Sequence, residues 1–305
     1  MKKILKWAAI GAALLLGLLV LAAGATAVYA RRQWKPVLTD RPLYEIRVDY
    51  SPEAVARGEY LVRSVMACQG CHSPNADEAW LAGHVELINE GPIRANFAVP
   101  NLTPDVETGL GTWTDAEIAR AIREGVDKDN VGLVIMPSTN YHALSDADVA
   151  AIVAYLRSLE PVNNPIPPID ANAVGKVLNA LGMMGPPALG APITEAQPAP
   201  APDTLAYGEY MTLLGACRDC HGSAYTGGTI PFAEPGTPPA PNLTATGRVG
   251  SWTEAQFVEA MQTGTAPDGR TFNDAMPWKV YQGMTAEDLG AIYRYLQSLP
   301  GSSEQ

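Results

Sequence analysis

Two five-residue stretches hold the most readable chemistry of this 305-residue chain: Cys68-Gln69-Gly70-Cys71-His72 and Cys217-Arg218-Asp219-Cys220-His221. Two thiols three residues apart on one helical turn can each form a thioether to a haem vinyl group, and the adjacent histidine then reaches the iron. All four cysteines are consumed in this way, so none is left for a disulfide. Zinc is the main rival, but zinc ribbons pair their Cys-x-x-Cys motifs at about 15–20 residues. Here the motifs lie 149 residues apart. A thioredoxin-like redox motif would need a βαβ setting, which the helical surroundings do not supply. The two motifs are therefore read as attachment sites for two covalently bound haem c groups.

The other axial ligand takes more inference. A thioether is a common choice in electron-transfer sites because it raises the potential, and the chain has nine Met and four His. Met136 and Met276, each followed by proline, stand 64 and 55 residues after His72 and His221. Met66 precedes its motif, and Met261 and Met284 have no methionine counterpart. A lone methionine is more often core filler, but a duplicated Met-Pro reads as a ligand pair. His84 and His142 lack counterparts and read as surface residues, with replacement of Met136 by one of them as the alternative.

The elements that must position these groups occur twice. Residues 57–160 and 207–300 carry the same landmarks in the same order. Gly58-Glu59-Tyr60 matches Gly208-Glu209-Tyr210, and Pro100-Asn101-Leu102-Thr103 matches Pro241-Asn242-Leu243-Thr244. Thr112-Trp113-Thr114 matches Ser251-Trp252-Thr253, Met136-Pro137 matches Met276-Pro277, and Tyr155-Leu156 matches Tyr295-Leu296. Thr114-Asp115-Ala116-Glu117 and Thr253-Glu254-Ala255-Gln256 are capping boxes, and Ser145 and Thr285 open the last helix of each half. Val149, Ile152, Val153 and Leu156 repeat as Leu289, Ile292, Tyr293 and Leu296, a one-sided apolar face. Gly58 or Gly208 would let Tyr155 or Tyr295 approach the first helix closely. Period-two runs are scarce, so the expected fold class is all-α. Between the halves, residues 163–203 carry nine prolines and read as a semi-rigid linker. Its apolar patch from Val174 to Met184 reads as a surface helix.

The run Trp7 to Ala30 is uncharged, 24 residues that could cross a bilayer of about 30 Å. Ala25-Thr26-Ala27 resembles a signal peptidase site, but the run exceeds a usual signal core and Arg31-Arg32 follow like an interfacial anchor. A retained transmembrane anchor is the favoured reading, with Lys2, Lys3 and Lys6 on the cytoplasmic side. Residues 37–305 hold fifteen Lys/Arg against 32 Asp/Glu, a net of −17. That argues against nucleic acid and serves either docking to basic protein surfaces or solubility.

With these residues in view, the chain resembles two class I cytochrome c domains in tandem. The Pro-Asn-Leu-Thr…Trp-Thr and Met-Pro…Tyr patterns are similar to the membrane-associated cytochrome subunits of bacterial alcohol, gluconate and aldehyde dehydrogenases. The resemblance implies small helical domains over 51–162 and 204–300; ahead of them the sequence places a transmembrane anchor or signal over 1–30 and a linker over 31–50, with a tail over 301–305. It implies His72 and His221 as proximal ligands, Met136 and Met276 as distal ones, and the carbonyls of Pro100 and Pro241 as acceptors for the proximal imidazole protons. It also implies a membrane-anchored electron carrier of the respiratory chain, with its haem domains on the periplasmic face of the inner membrane. Electrons would come from a dehydrogenase or quinol-oxidising complex and leave to another cytochrome or a terminal oxidase. No catalytic residues compete with the haems. The alternative is a dihaem peroxidase-like enzyme with one open iron, against which the duplicated Met-Pro argues. Two haem motifs rather than three leave the partner enzyme open.

Denaturing gels stained for haem, with a pyridine haemochrome count, should find two covalent haems per chain. A count of one, or zinc in place of iron, would reject the reading.

Overall fold

The uncharged N-terminal run can satisfy its backbone only within itself in an apolar medium. Together with its flanks it forms one helix, α1 (Lys2–Trp34), long and apolar enough to cross a membrane. Its side chains at 4–7 and 9–26 are exposed, whereas Ala30 and Trp34 at its foot are buried. The computed structural model describes residues 2–75, 79–182, 190–231, 233 and 236–301. Met183 and Met184 of the expected apolar patch, and residues 302–305 of the tail, lie outside the described residues.

The first half of the repeat opens with α2 (Pro52–Tyr60), where Ser51 accepts the Ala54 amide and Pro52 fills a position whose N–H would be unpaired anyway. A single π turn, Leu61–Val65, carries the chain into α3 (Gln69–His72). After the strands β1 (His84–Glu90) and β2 (Ile93–Val99) come α4 (Asp115–Glu124), α5 (Ser138–Tyr141) and α6 (Asp146–Ser158). A two-residue strand, β3 (Asp170–Ala171), and α7 (Ala173–Ala180) precede the second half. There α8 (Leu205–Leu214), α9 (Cys217–His221), α10 (Glu254–Thr263), α11 (Trp278–Tyr281) and α12 (Ala286–Ser298) repeat the helices of the first. Both capping boxes form, and Ser145 and Thr285 accept the Asp148 and Asp288 amides. A Cβ on Gly58 would sit 1.9 Å from the Ala151 carbonyl oxygen and 2.8 Å from Tyr155 Cβ. On Gly208 it would sit 2.2 Å from the Ala291 oxygen and 2.7 Å from Tyr295 Cβ. Glycine is what lets the first and last helices of each half cross this closely.

Helices dominate, but the all-α expectation needs correction. β1 and β2 form an antiparallel hairpin closed by Gly91-Pro92, with Gly91 at φ +51°, and β3 extends the sheet on the β2 edge. A glycine at the first central position favours such a tight turn, and the third strand comes from the segment expected to be a linker. That segment lies against the first half. Asn164 donates to the Ala82 carbonyl at 2.9 Å, Asp170 N donates to Asn96 Oδ1 at 2.6 Å, and Asp146 N donates to the Gln197 carbonyl at 2.8 Å. The helix expected on the surface, α7, packs on the foot of α1. Residues 36–50 are likewise a strap rather than a spacer: Arg41 pairs with buried Glu124 at 3.2 Å, and Tyr50 donates to Asp115 at 2.5 Å.

The two halves share one continuous core and a reciprocal polar contact. Tyr60 donates to Asp288 at 2.5 Å and accepts from the Thr285 amide at 3.2 Å. Tyr210 donates to Asp148 at 2.6 Å and accepts from the Ser145 amide at 3.2 Å. Each first helix thus helps cap the last helix of the other half. Burial, followed by the bond to Asp288, pushes the Tyr60 hydroxyl up to about 12, so it stays a donor at neutral pH. Tyr60→Phe or Tyr210→Phe should each cost about 1.5–3 kcal/mol, as for hydrogen bonds to charged groups. Tyr295→Phe, which loses only a 3.3 Å contact to exposed Glu209, should cost under about 0.5 kcal/mol. Chemical denaturation of the three variants checks the order.

Candidate haem-binding sites

In each half the Cys-x-x-Cys-His turn starts after an alanine in the left-handed region, Ala67 at φ 54° and Ala216 at φ 52°. Such a conformation costs a non-glycine residue about 1–2 kcal/mol, and strain of this kind collects at functional sites. His72 and His221 are buried, and their own carbonyls accept the Gly83 and Gly227 amides at 2.9 Å each. These two glycines, at φ +92° and +83°, let the segment leading to Pro100 or Pro241 pass directly behind the motif. A Cβ on Gly83 would lie 2.9 Å from the Asn101 nitrogen, and one on Gly227 would lie 2.4 Å from the Ala240 oxygen.

That close passage sets the Pro100 carbonyl 2.8 Å from His72 Nδ1 and the Pro241 carbonyl 2.9 Å from His221 Nδ1. A carbonyl can only accept, so Nδ1 carries the proton and Nε2 presents its lone pair. Burial lowers the His72 pKa to about 4 and outweighs the opposing effect of the bond that Nδ1 donates to Pro100; His221 is lowered for the same reason. Both rings are thus neutral near pH 7, the form in which imidazole binds a metal. The Pro-Asn-Leu-Thr motif explains itself here. Asn101 Oδ1 accepts from Thr103 N at 2.9 Å and from its hydroxyl at 2.8 Å; Asn242 does the same with Thr244 at 2.8 Å in both bonds. These asparagine turns hold the proline carbonyl in register.

The four thiols are free. Burial pushes Cys68 and Cys217 up to about 12 and raises Cys71 and Cys220 as well. Among the described residues no three His, Cys, Asp or Glu side chains converge to hold an ion. In the second half a cavity of about 1200 Å3 is lined by Cys217, Cys220, His221 and Met276, with Leu243, Phe257 and Leu296 among its apolar walls. It exceeds the roughly 300–1,000 Å3 of ordinary small-ligand pockets and suits a large, flat, mostly apolar group such as haem. Met136, like Met276, is partly buried against the core. The tyrosine five residues after each methionine ties its loop to the motif: Tyr141 donates to the Met66 carbonyl at 3.2 Å and Tyr281 to the Gly215 carbonyl at 2.8 Å.

Sequence reasoning missed Gly83 and Gly227, whose equivalence is hidden because they follow their histidines at different distances. It also missed Asn140, which follows Met136-Pro137. Asn140 donates to Asp219 at 2.7 Å and accepts from Arg218 at 2.8 Å, tying the first methionine loop to the second Cys motif. His84 and His142 are half-buried rather than surface residues. His142 Nδ1 lies 3.2 Å from the Arg123 carbonyl, and Gly190 packs on its ring.

Paired thiols, a neutral buried imidazole and a roomy apolar cavity define a c-type haem site. The chain belongs to the cytochrome c family, whose model matches residues 55–160 and 208–300; covalent haem c and electron transfer are the family's properties. It is similar to the dihaem cytochrome c-type protein of Cereibacter sphaeroides, 29% identical over 92% of this chain and 96% of that one. It is also similar to the cytochrome c subunit of the alcohol dehydrogenase (quinone) of Gluconobacter oxydans, 28% identical over 84% of this chain and 57% of that one. A subunit of the nicotinate dehydrogenase of Pseudomonas putida is 31% identical over 78% of this chain and 21% of its own length. The chain therefore spans little more than half, or only a fifth, of these two dehydrogenase subunits.

Gly227→Ala should destabilise the haem-loaded protein by more than Gly269→Ala. Both would force alanine to a positive φ, a cost of about 1–2 kcal/mol, but Gly269 faces open space. Equal unfolding midpoints would show that the close passage behind His221 has no energetic weight.

Proposed function

We propose that this chain is a dihaem electron carrier, anchored in the inner membrane by α1 with both haem sites on the periplasmic side. One observation carries the reading: a buried neutral imidazole, backed by a proline carbonyl and flanked by two free thiols, is built twice from matched residues. The haem iron, when bound, supplies the one-electron couple. Cys68 and Cys71 would hold the first group and Cys217 and Cys220 the second, with His72 and Met136, and His221 and Met276, as the residues that would ligate the two irons. Closed, unchanged coordination suits a carrier because little rearranges on electron transfer, and methionine keeps the potential high. The similarity to dehydrogenase cytochrome subunits supports a dehydrogenase or quinol-oxidising complex as donor and a further cytochrome or oxidase as acceptor. The acidic portion beyond α1 suits docking to basic partner surfaces. Lys2, Lys3 and Lys6 favour a cytoplasmic N-terminus.

The reduced protein should bind almost no carbon monoxide, while Met136→Ala and Met276→Ala should each bind it at one haem. The oxidised parent should show the weak near-infrared band of Fe–Met ligation. A parent that takes up a full equivalent and turns over peroxide would instead be a peroxidase-like enzyme with one open iron.

A further inference from the structure

The two methionine loops are built alike but covered differently. Each is preceded by a small hairpin, bridged by Val126 and Gly132 in the first half and by Thr265 and Thr271 in the second. On the first hairpin lies a third strand, the segment leaving the foot of α1. Gly132 N donates to the Pro36 carbonyl at 2.9 Å, and Leu38 N donates to the Asn130 carbonyl at 2.8 Å. Val37 bridges Val131 between them. Trp34 itself shares a small core with Val134 and Ala171, with Ile135 packed against it. Val134 and Ile135 immediately precede Met136. In the second half the residues before Met276 are Asp274 and Ala275, both exposed, and among the described residues no strand bridges that hairpin from outside.

We propose that Trp34 is a positioning residue for Met136. The foot of α1 forms the outer wall of the first methionine loop. The inference rests on the axial ligands and anchor of the preceding reading. A thioether is a weak ligand, so a loop that delivers one gains from a rigid backing that resists its swinging away from iron. Bulk is what Trp34 contributes, since its indole nitrogen is buried with no hydrogen-bond partner. The Lys176 ammonium, paired with Asp170 at 2.7 Å, lies 5.9 Å from the ring centre and holds α7 against it.

The test uses full-length, haem-loaded protein in detergent, with Trp34→Ala, Trp34→Phe and Leu38→Pro, the last removing one strap hydrogen bond away from the haem pocket. Carbon monoxide uptake, the near-infrared Fe–Met band and both midpoint potentials are read for each. Trp34→Ala should open one iron to carbon monoxide, halve the band and lower one potential while the other stays at its parent value. Trp34→Phe should stay close to the parent, and Leu38→Pro should move in the direction of Trp34→Ala. If Trp34→Ala accumulates no haem, Leu38→Pro with Trp34→Phe decides. The proposal falls if Met136→Ala opens an iron but neither Trp34→Ala nor Leu38→Pro changes it, or if both potentials move together. If Met136→Ala opens no iron, the axial ligand assignment fails, whatever Trp34 does.

Discussion

The structure depends on holding an imidazole neutral inside an apolar pocket, with one nitrogen spoken for and the other free. In both halves burial keeps the ring neutral, and a proline carbonyl 2.8–2.9 Å from Nδ1 claims the one nitrogen. Proline has no N–H, so nothing at that residue competes for the strand's direction, and its ring restricts the residue before it. The glycines behind each histidine, the asparagine turn after each proline and the left-handed alanine before each first cysteine all serve that one contact. Remove the close passage at Gly83 or Gly227 and the carbonyl has no route to the ring.

Local signals made much of this legible in the sequence. Capping boxes, the apolar face of the last helix, the Cys-x-x-Cys-His turn and the duplicated Met-Pro all act over a few residues, and the repeat allows each to be read twice. The illegible parts are those in which distant segments meet. β1 and β2 alternate imperfectly because only part of one face is covered, and their third strand comes from residues 170–171. The strap over residues 36–50 finds its partners some 65 to 100 residues farther along, and no period in a window of sequence records that. His142 reads as a surface residue in the sequence because Gly190, which covers it, belongs to a segment with the composition of a linker.

The repeat also shows how duplication permits divergence. Arg57 and Tyr207 occupy matched positions and hold matched carboxylates by different chemistry. Arg57 pairs with Asp148 at 2.8 Å, and Tyr207 donates to Asp288 at 2.7 Å. The guanidinium over the Tyr60 ring at 5.5 Å has its counterpart in the Tyr207–Tyr210 ring pair at 6.2 Å. Two arginines or two tyrosines would give the halves identical surroundings. One of each makes the carboxylates at the junction electrically unequal.

The reciprocal tyrosines have a consequence for valence. A contact in which one part's patch meets the same patch on its counterpart closes on itself, whereas a head-to-tail contact leaves a free end that recruits another copy. Here both copies of the patch sit in one polypeptide and satisfy each other. The junction therefore resembles the interface of a two-fold dimer whose two copies of one patch are already satisfied within a single chain.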